Sequence, residues 1–369
     1  MKYDFAIITP THNRVNTLKS SILSVMKQRD VKVLHIIVHD TNSEGTEEVI
    51  RQAEKYCAVG YKIVYVKRKP QKNEDPSAAH SINYAMSLLF NPEFRQLNDI
   101  SSINAIGILH DDDLLAPESL SYAISKFNNS PELKLIVGQE LFFYISNSSF
   151  DIRYFPTKIS KKRFIVRALT LYAPYHAFFI SYQYLNSIIG SNTKRNYLYD
   201  STLSWGDDRD VLVYIAKNVY DWKQEVLLSN KIFYLYNNDI DDDRISNFLD
   251  SKFIQQQYEY ICDKNLLSYN EAIIEKIKKD LKYEYKIPSI LNLYNFRRRI
   301  AKRWFIESKK FSPKEFEHVL YWYNYTEKYL EWLHMHKIER FDLSYYKSFY
   351  KKYFMRCVSQ HLLDQIKIN

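Results

Sequence analysis

Three consecutive aspartates follow a short apolar segment of this sequence. The segment, 105–109, has the composition of a buried strand and is followed directly by His110, Asp111, Asp112 and Asp113. Adjacent carboxylates repel one another and lose solvation when buried, so a cation should offset that cost. Hard oxygen ligands suit Mg²⁺ or Mn²⁺. The alternative is a solvated acidic loop that caps the next helix, and the position at a strand's carboxyl end favours a metal site.

Two further groups of carboxylates stand at the ends of predicted elements. Asp40 follows the second predicted strand, where a carboxylate can accept hydrogen bonds from a ribose or a base edge. A plain turn residue is the alternative for Asp40. Asp207 and Asp208 follow Gly206 just before a predicted helix, where one of them can act as general base toward an acceptor hydroxyl. An N-cap is the alternative role here, and both roles are compatible.

The elements that must position these side chains alternate between strand and helix over the first 130 residues. Buried strands are predicted at four apolar runs, 5–8, 34–38, 63–66 and 105–109. Helices with one apolar face are predicted between them. This alternation predicts an α/β fold with a mostly parallel sheet flanked by helices, whose ligands bind at the carboxyl ends of the strands.

Capping signals predict where three of these helices begin. Thr46 is predicted to cap the second helix, and Asp75 followed by Pro76 is predicted to open the third. Pro117 is predicted to start the helix after the aspartates. The pattern is mixed over 133–240, and the sequence beyond about residue 250 indicates helices rich in Tyr, Lys and Phe.

Five segments, taken in order, resemble the motifs of family 2 glycosyltransferases of the GT-A fold. Segment 9–14 (TPTHNR) resembles the family's TPTYNR opening, and segment 36–43 resembles its IIVVDDGS motif. The other three are 76–83, similar to the GxSAARNxG helix start, 109–117, similar to the LDxDDxxxP metal motif, and 205–208, similar to the GED catalytic motif. Each motif is weak by itself, whereas the ordered set is specific, and the resemblance covers about residues 3–245.

The resemblance implies a metal-dependent, inverting hexosyltransferase of the bacterial surface-glycan type, with Mn²⁺ or Mg²⁺ as cofactor. Such an enzyme moves a sugar from a nucleotide-diphosphate donor to a hydroxyl of a glycan or lipid-linked glycan, in polysaccharide, O-antigen or lipooligosaccharide assembly. The expected organisation is a GT-A domain over 1–245, with a nucleotide-binding half at about 1–130 and an acceptor half at about 131–245. A basic, aromatic-rich helical region would follow over 246–369.

The resemblance also implies roles for single residues around the donor. Asp112 would be the main metal ligand, with Asp111 and Asp113 beside it. The residues implied in binding the donor nucleotide are Pro10, Thr11, Arg14, Asp40, Ser77, His80 and Asp111.

On the acceptor side, the resemblance implies that Asp208 is the catalytic base, with Asp207 beside it. Acidic neighbours would raise the pKa of Asp208, whereas a bound cation would oppose that shift. His176 and Trp205 are implied in acceptor binding and Arg244 in a diphosphate contact. A histidine that packs in the core among aromatic residues is the alternative for His176.

The sequence departs from the family pattern at three places. His110 stands where the family has Asp, which leaves the metal-ligand set open. His80 replaces a common Arg near the donor. The stretch 236–239 lacks the histidine that many members carry after the last core strand.

The excess of positive over negative charge lies in the C-terminal quarter. Residues 271–369 hold 21 Lys and Arg against 12 Asp and Glu, which accounts for the entire net charge of +9. Basic residues interleaved with aromatic residues over 282–310 suit an anionic membrane surface, and a helical bundle with a solvated basic face is the alternative. With no signal peptide and no run of about 18 apolar residues, the expected location is cytoplasmic, including the inner face of the cell membrane.

Two other classes of protein remain as alternatives. A nucleotidyltransferase that makes nucleotide sugars should carry a glycine-rich loop after the first strand, and 9–14 contains no glycine. A non-catalytic nucleic-acid-binding protein suits the basic, Tyr-rich end. The neutral first 270 residues and the carboxylates at the strand ends argue against it, and no nucleic acid is expected as a partner.

Overall fold

The structure is a computed structural model that describes residues 1–40, 44–70, 77–144, 149–153, 155, 157–170, 173–189, 195–204, 206–237 and seven single positions between 253 and 265. Its strands are β1 (Lys2–Thr11), β2 (Val33–His39), β3 (Tyr61–Lys67), β4 (Ser102–Ile108), β5 (Leu114–Leu115), β6 (Leu135–Tyr144), β7 (Ser149–Arg153), β8 (Phe178–Ser181) and β9 (Val226–Asn237). Its helices are α1 (Val15–Met26), α2 (Glu44–Glu54), α3 (Ala78–Phe90), α4 (Pro92–Leu97), α5 (Ser119–Asn129), α6 (Lys161–Thr170), α7 (Tyr182–Ile188), α8 (Asp207–Asn218) and α9 (Trp222–Glu225).

A curled sheet with the strand order β3-β2-β1-β4-β8-β6-β9-β5 forms the centre of the fold. The first four strands in that order are parallel, and Phe5 of β1 lies opposite both Val33 of β2 and Ala105 of β4. Strand β8 is antiparallel to β4 and β6, and β5 is antiparallel to β9. The predicted α/β fold with its mostly parallel sheet and flanking helices is confirmed.

Strands β1, β2 and β4 are buried on both faces, as their continuous apolar runs predict. The predicted burial of the run 63–66 is wrong apart from Ile63, because β3 is an end strand of the sheet and is only half-buried. Leu18 and Ile22 of α1 and Ile50 of α2 pack with Ile37 and Ile63 of the sheet. Each of these side chains contributes about 1.5–3 kcal/mol when it is fully buried. Helix α3 packs against β1 and β2. These contacts fix the strand ends, and so the loops that follow them.

The predicted helix starts are wrong at three places. Helix α3 begins at Ala78, because the Ser77 hydroxyl accepts a hydrogen bond from the backbone N–H of Ala79 at 3.1 Å and supplies the cap expected from 75–76. Helix α2 begins at Glu44, so Thr46 lies buried in its first turn and does not cap it. Helix α5 begins two residues after Pro117, because Glu118 adopts the left-handed conformation.

The chain divides into two compact units. The first comprises Met1–Phe142 and Phe155–Ser268, and the second comprises Phe143–Tyr154 and Tyr269–Asn369. In the second unit the structure describes β7 and the last residues of β6. The predicted helical region over 246–369 lies almost wholly outside the described residues, and the predicted domain boundary stays a prediction. Among the helices that are described, none is both long and apolar enough to cross a membrane.

Candidate active site

The polar residues singled out in the sequence follow strands that end at one edge of the parallel sheet. Asp40 comes directly after β2, and the acidic segment 110–113 follows β4 and the buried Leu109. Between β1 and α1, Asn13 adopts the left-handed conformation (φ 57°), which Asn tolerates better than most residues. Its neighbours His12 and Arg14 both contact the acidic segment.

Arg14 binds the first two aspartates of that segment. Its Nη1 lies 2.5 Å from Asp112 Oδ2 and 3.5 Å from Asp111 Oδ1. The backbone N–H of His12 donates to Asp111 Oδ2 at 3.3 Å. Both carboxylates are less than one-tenth exposed. Arg14 therefore supplies part of the positive charge that the sequence predicts beside these carboxylates.

Burial dominates the protonation of Asp111. It raises the pKa of this carboxyl to about 6 together with the adjacent charge of Asp112, although Arg14 acts in the opposite direction. A cation close to Asp111 would favour its ionised form. The electrostatics of the loop thus favour a positively charged ligand.

Asp113 is held by strand β9, which donates a hydrogen bond to each of its two oxygens. The Tyr234 hydroxyl donates to Oδ2 at 2.8 Å, and the backbone N–H of Asn237 donates to Oδ1 at 2.7 Å. Asp113 is buried, and burial with the charge of Asp112 raises its pKa to about 7. The Tyr234 hydroxyl also accepts from the backbone N–H of His110 at 3.0 Å. Asp113 thus ties the loop after β4 to the end of β9.

Asp40 lies between two basic side chains. Oδ1 of Asp40 is 2.8 Å from Nδ1 of His12, and Oδ2 is 3.8 Å from a terminal guanidinium nitrogen of Arg68. The Arg68 backbone N–H donates to the carbonyl of His39, the last residue of β2. Asp40 and Arg68 are each one-tenth exposed, whereas His12 is more than half exposed. The geometry leaves His12 as the accessible member of the group.

Side chains from three parts of the chain lie next to the carboxylate of Asp208. Tyr199 donates its hydroxyl to Oδ1 at 2.9 Å, and Nε2 of His176 lies 3.1 Å from Oδ2. Nε2 of His110, from the loop after β4, is 4.0 Å from the same Oδ2. Asp208 lies in the first turn of α8, which begins after Gly206 in the left-handed conformation (φ 74°). A Cβ on Gly206 would also come 2.9 Å from the Ile261 side chain, so glycine suits this turn.

His176 connects Asp208 to a second carboxylate. Glu140 of β6, which is 1% exposed, accepts the backbone N–H of His176 at 2.6 Å, and the same oxygen lies 3.2 Å from Nδ1. The imidazole also stacks against Tyr234 and Tyr236, with centroid distances of 5.4 and 5.1 Å. His176 therefore has a fixed ring plane and a carboxylate at each nitrogen.

The expected rise in the pKa of Asp208 is wrong. Burial does act to raise it, but His176 and His110 outweigh burial and hold the pKa of Asp208 well below its usual range. The rise falls on Asp207 instead, where burial and the neighbouring Asp208 charge raise the pKa to about 7. Burial alone would lower the pKa of His176, and the charges of Asp208 and Glu140 raise it well above 6.5. Asp208 is therefore ionised at neutral pH.

The remaining predicted residues fall into two groups. Pro10 and Thr11 end β1 and are buried, Ser77 caps α3, and His80 is half-buried in the first turn of that helix. Trp205 and Arg244 lie outside the described residues.

Sequence reasoning missed four residues that contact the predicted ones. They are Glu140, Tyr199, Tyr234 and Arg68. Only Glu140 carried a signal in the sequence, as a charged residue within the apolar strand β6. The sequence could not show that Glu140 pairs with His176, because the two residues lie 36 positions apart along the chain.

Two sets of side chains could hold a cation. Asp111 and Asp112 present carboxylate oxygens beside Arg14, a donor type that suits Mg²⁺ or Mn²⁺. His110, His176 and Asp208 place one ligand atom each within 4.8 Å of one another, the one such His, Cys, Asp or Glu group within the described part of the chain.

Comparison with family models supports the resemblance carried by the sequence motifs. The model of glycosyl transferase family 2 matches residues 6–180. This match covers nearly half of the chain and agrees with the family that the sequence motifs predict. No curated protein matches the chain.

Solved structures share the fold. The crystal structure of S. aureus TarS is similar with a TM-score of 0.52 and 14% identity, over 79% of this chain and 45% of the TarS chain. The structure of S. aureus TarS 1-349 in complex with UDP-GlcNAc gives a TM-score of 0.51 and 14% identity, over 75% of this chain and 70% of that chain. The chain thus spans less than half of the longer TarS chain. The likeness shows a common fold.

Proposed function

We propose that this protein is a metal-dependent, inverting hexosyltransferase that moves a sugar from a nucleotide-diphosphate donor to an acceptor hydroxyl. The observation that carries the proposal is the convergence at Asp208. An ionised carboxylate at the start of α8 lies 4.0 Å from His110, in the same loop as the carboxylates that Arg14 binds. A base and a pair of carboxylates that can hold a cation thus belong to neighbouring parts of a family 2 domain.

The donor nucleotide is assigned to the ends of β1 and β2. Asp40 offers carboxylate oxygens to the base or ribose, flanked by the exposed imidazole of His12. Pro10, Thr11 and Asp111 complete this side, and Ser77 and His80 approach from α3. Arg14 can turn from Asp112 to the donor phosphates, because a guanidinium binds phosphate oxygens as well as it binds carboxylates.

A divalent metal fits the carboxylates of Asp111 and Asp112. They are nearly buried, adjacent and already held against a positive charge, and they supply hard oxygen ligands. Asp113, the next residue in the loop, accepts hydrogen bonds from Tyr234 and Asn237 and so holds the loop in place. When bound, Mn²⁺ or Mg²⁺ would neutralise the charge that develops on the leaving diphosphate.

Asp208 is assigned as the general base. Its carboxylate accepts the proton of the acceptor hydroxyl while that oxygen bonds to the anomeric carbon of the donor sugar. The bond from that carbon to the diphosphate breaks on the opposite face, which inverts the anomeric configuration. Tyr199 and His176 fix the carboxylate through both of its oxygens, so little reorganisation is needed. His176 and Trp205 stay as proposed acceptor contacts.

The acceptor is proposed to be a glycan or lipid-linked glycan of bacterial surface polysaccharide. The support is the basic, aromatic-rich sequence over 282–310, which suits an anionic membrane surface on the cytoplasmic side. Co-sedimentation with anionic vesicles at low salt tests this part. Absence of binding by the full chain would reject it.

A thermal-shift screen tests the donor assignment. UDP-, GDP- and dTDP-sugars are added with and without Mn²⁺, because a ligand that binds the folded state raises its apparent stability. We expect one nucleotide class to raise Tm, and more so with Mn²⁺. If no nucleotide sugar shifts Tm in either condition, the proposed function is wrong.

A further inference from the structure

His110, His176 and Asp208 form a group with the dimensions of a transition-metal site. Oδ2 of Asp208 lies 3.1 Å from Nε2 of His176 and 4.0 Å from Nε2 of His110. Ligand atoms around a tetrahedral Zn²⁺ are about 3.3 Å apart, given metal–ligand distances of about 2.0–2.1 Å. The first separation already suits such an ion, and a shift of His110 by less than about 1 Å would bring the second into range.

The hydrogen-bond partners of His110, His176 and Asp208 leave room for a cation among these three side chains. Glu140 Oε1 lies 3.2 Å from Nδ1 of His176 and accepts a hydrogen bond from the N–H at that nitrogen. Nε2 faces Asp208 at 3.1 Å, so the two atoms must share a second proton or a metal ion. Nε2 of His110 is buried next to the same oxygen without a hydrogen-bond partner. Two imidazole lone pairs and one carboxylate oxygen can thus converge on one point.

We propose that these three side chains bind a cation of the Zn²⁺ class, with the fourth position open to water. Two imidazoles and one carboxylate match the donor preference of Zn²⁺ and Co²⁺, whereas Mg²⁺ and Mn²⁺ favour oxygen ligands. This site is separate from the carboxylates of Asp111 and Asp112.

The surroundings of the three ligands already hold them in place. A carboxylate on the far nitrogen of a metal-binding histidine fixes its tautomer and raises its basicity, and Glu140 is placed to do so for His176. Tyr234 and Tyr236 stack on the His176 ring. Tyr199 holds the other oxygen of Asp208. The backbone of His110 is anchored by Tyr234 and Ser21.

A bound ion would affect sugar transfer, an effect that rests on the proposed function of Asp208. A Zn²⁺ ion would bind the Asp208 carboxylate that is proposed to accept the acceptor proton, and would lower its basicity. The bound ion would therefore inhibit sugar transfer. The same site in the metal-free enzyme leaves the carboxylate available.

Binding is tested first, without donor or acceptor. The purified full chain is titrated with Co²⁺, and Zn²⁺ is then added to displace it. We expect one equivalent of Co²⁺ with the strong visible absorption of a four-coordinate site. His110→Ala and His176→Gln should each weaken Co²⁺ binding by about tenfold or more, and Glu140→Gln by about 10- to 100-fold.

His12→Ala is the matched control, since it removes another histidine that lies against a carboxylate. It should leave Co²⁺ binding unchanged, and thermal melts of every variant confirm that it is folded. Equal Co²⁺ affinity in wild type, His110→Ala and His176→Gln would overturn the proposal, as would loss of binding in His12→Ala. Absence of Co²⁺ absorption in the folded wild-type chain would overturn it too.

Two further measurements separate this proposal from the proposed function. Asp112→Asn should keep the Co²⁺ spectrum, whereas a loss of the spectrum would place the ion at the aspartates and reject the site. In a transfer assay with saturating Mn²⁺, Zn²⁺ should inhibit wild type at least tenfold more strongly than His110→Ala, each relative to its own rate without Zn²⁺. Co²⁺ binding is measured without a sugar donor. It can therefore confirm the metal site even if the chain transfers no sugar.

Discussion

Two buried histidines of this protein have opposite protonation behaviour. His35, inside the parallel sheet, lies 2.9 Å from Thr9 Oγ1 and 2.6 Å from the Tyr61 hydroxyl. Burial lowers its pKa to about 3. His176, two residues before β8, is also largely buried, but the carboxylates of Asp208 and Glu140 outweigh burial and raise its pKa.

The difference between these two regions lies in their partners and not in their depth. Hydroxyl groups can share hydrogen bonds with a neutral imidazole, so the sheet interior around His35 needs no charge. Carboxylates on both sides of His176 require a positive charge between them. The surroundings of His35 are thus neutral, whereas charge is concentrated around His176. Four predictions test this contrast, from the largest expected effect to the smallest.

Asp208→Asn should produce the largest effect, a fall in the rate of sugar transfer of about 10²–10⁴-fold. The amide keeps the size of the side chain but cannot accept the acceptor proton. Steady-state turnover with saturating donor measures the loss. Asp221→Asn is the matched control, because Asp221 caps α9 and Asn caps helices equally well. Wild-type turnover by Asp208→Asn would remove Asp208 from the base role.

Asp112→Asn should abolish the effect of Mn²⁺ on donor binding. We expect donor affinity measured with Mn²⁺ to fall by about tenfold or more, which is about 1.4 kcal/mol. Calorimetric titration of donor with and without Mn²⁺ provides the readout. Asp99→Asn serves as control, since Asp99 is exposed and its positive φ of 58° is tolerated by Asn. An unchanged Mn²⁺ effect in Asp112→Asn would exclude Asp112 as a ligand.

His35→Gln should reduce the acid sensitivity of the fold. The pKa of His35 is about 3 in the folded chain and about 6.5 when unfolded, so between these values the unfolded state binds more protons. Stability from this site is therefore full above about pH 6.5 and is lost as pH falls, at up to about 1.4 kcal/mol per pH unit. Urea unfolding of both proteins from pH 4.5 to 8 should show a shallower slope for the variant.

Above about pH 7 the stability difference between wild type and His35→Gln should become independent of pH, because His35 is then neutral in both states. Parallel curves across the whole range would contradict the assignment of a buried neutral histidine.

Tyr199→Phe should have the smallest effect, a fall in turnover of about 2- to 10-fold. The change removes one hydrogen bond to Asp208, of the kind that contributes about 0.5–1.5 kcal/mol. The ring should stay in place because Asn83 hydrogen-bonds the Tyr199 backbone at both its N–H and its carbonyl.

Tyr184→Phe is the matched control for that prediction, since its buried hydroxyl donates to the carbonyl of Ile215 in α8. It should lower stability and leave turnover unchanged. Equal turnover in Tyr199→Phe and Tyr184→Phe would show that Tyr199 does not support Asp208.

The sequence allowed the parallel half of the fold to be predicted because its signals are local. Continuous apolar runs marked β1, β2, β3 and β4, and the residues that follow these strands were therefore expected at one edge. Helix ends were less accurate, as Ser77 and Glu118 show. Capping depends on single hydrogen bonds and dihedral angles, which several neighbouring residues can provide.

The sequence by itself determined the α/β order, the family 2 motifs and the acidic segment after β4. Only the tertiary structure decided the partners of those residues: Arg14 for Asp112, Tyr234 and Asn237 for Asp113, and the line from Glu140 through His176 to Asp208. The physical reason is range. Apolar periodicity and capping act over a few residues, whereas these contacts join residues 32 to 124 positions apart and depend on how strands β6, β8 and β9 add to the parallel sheet.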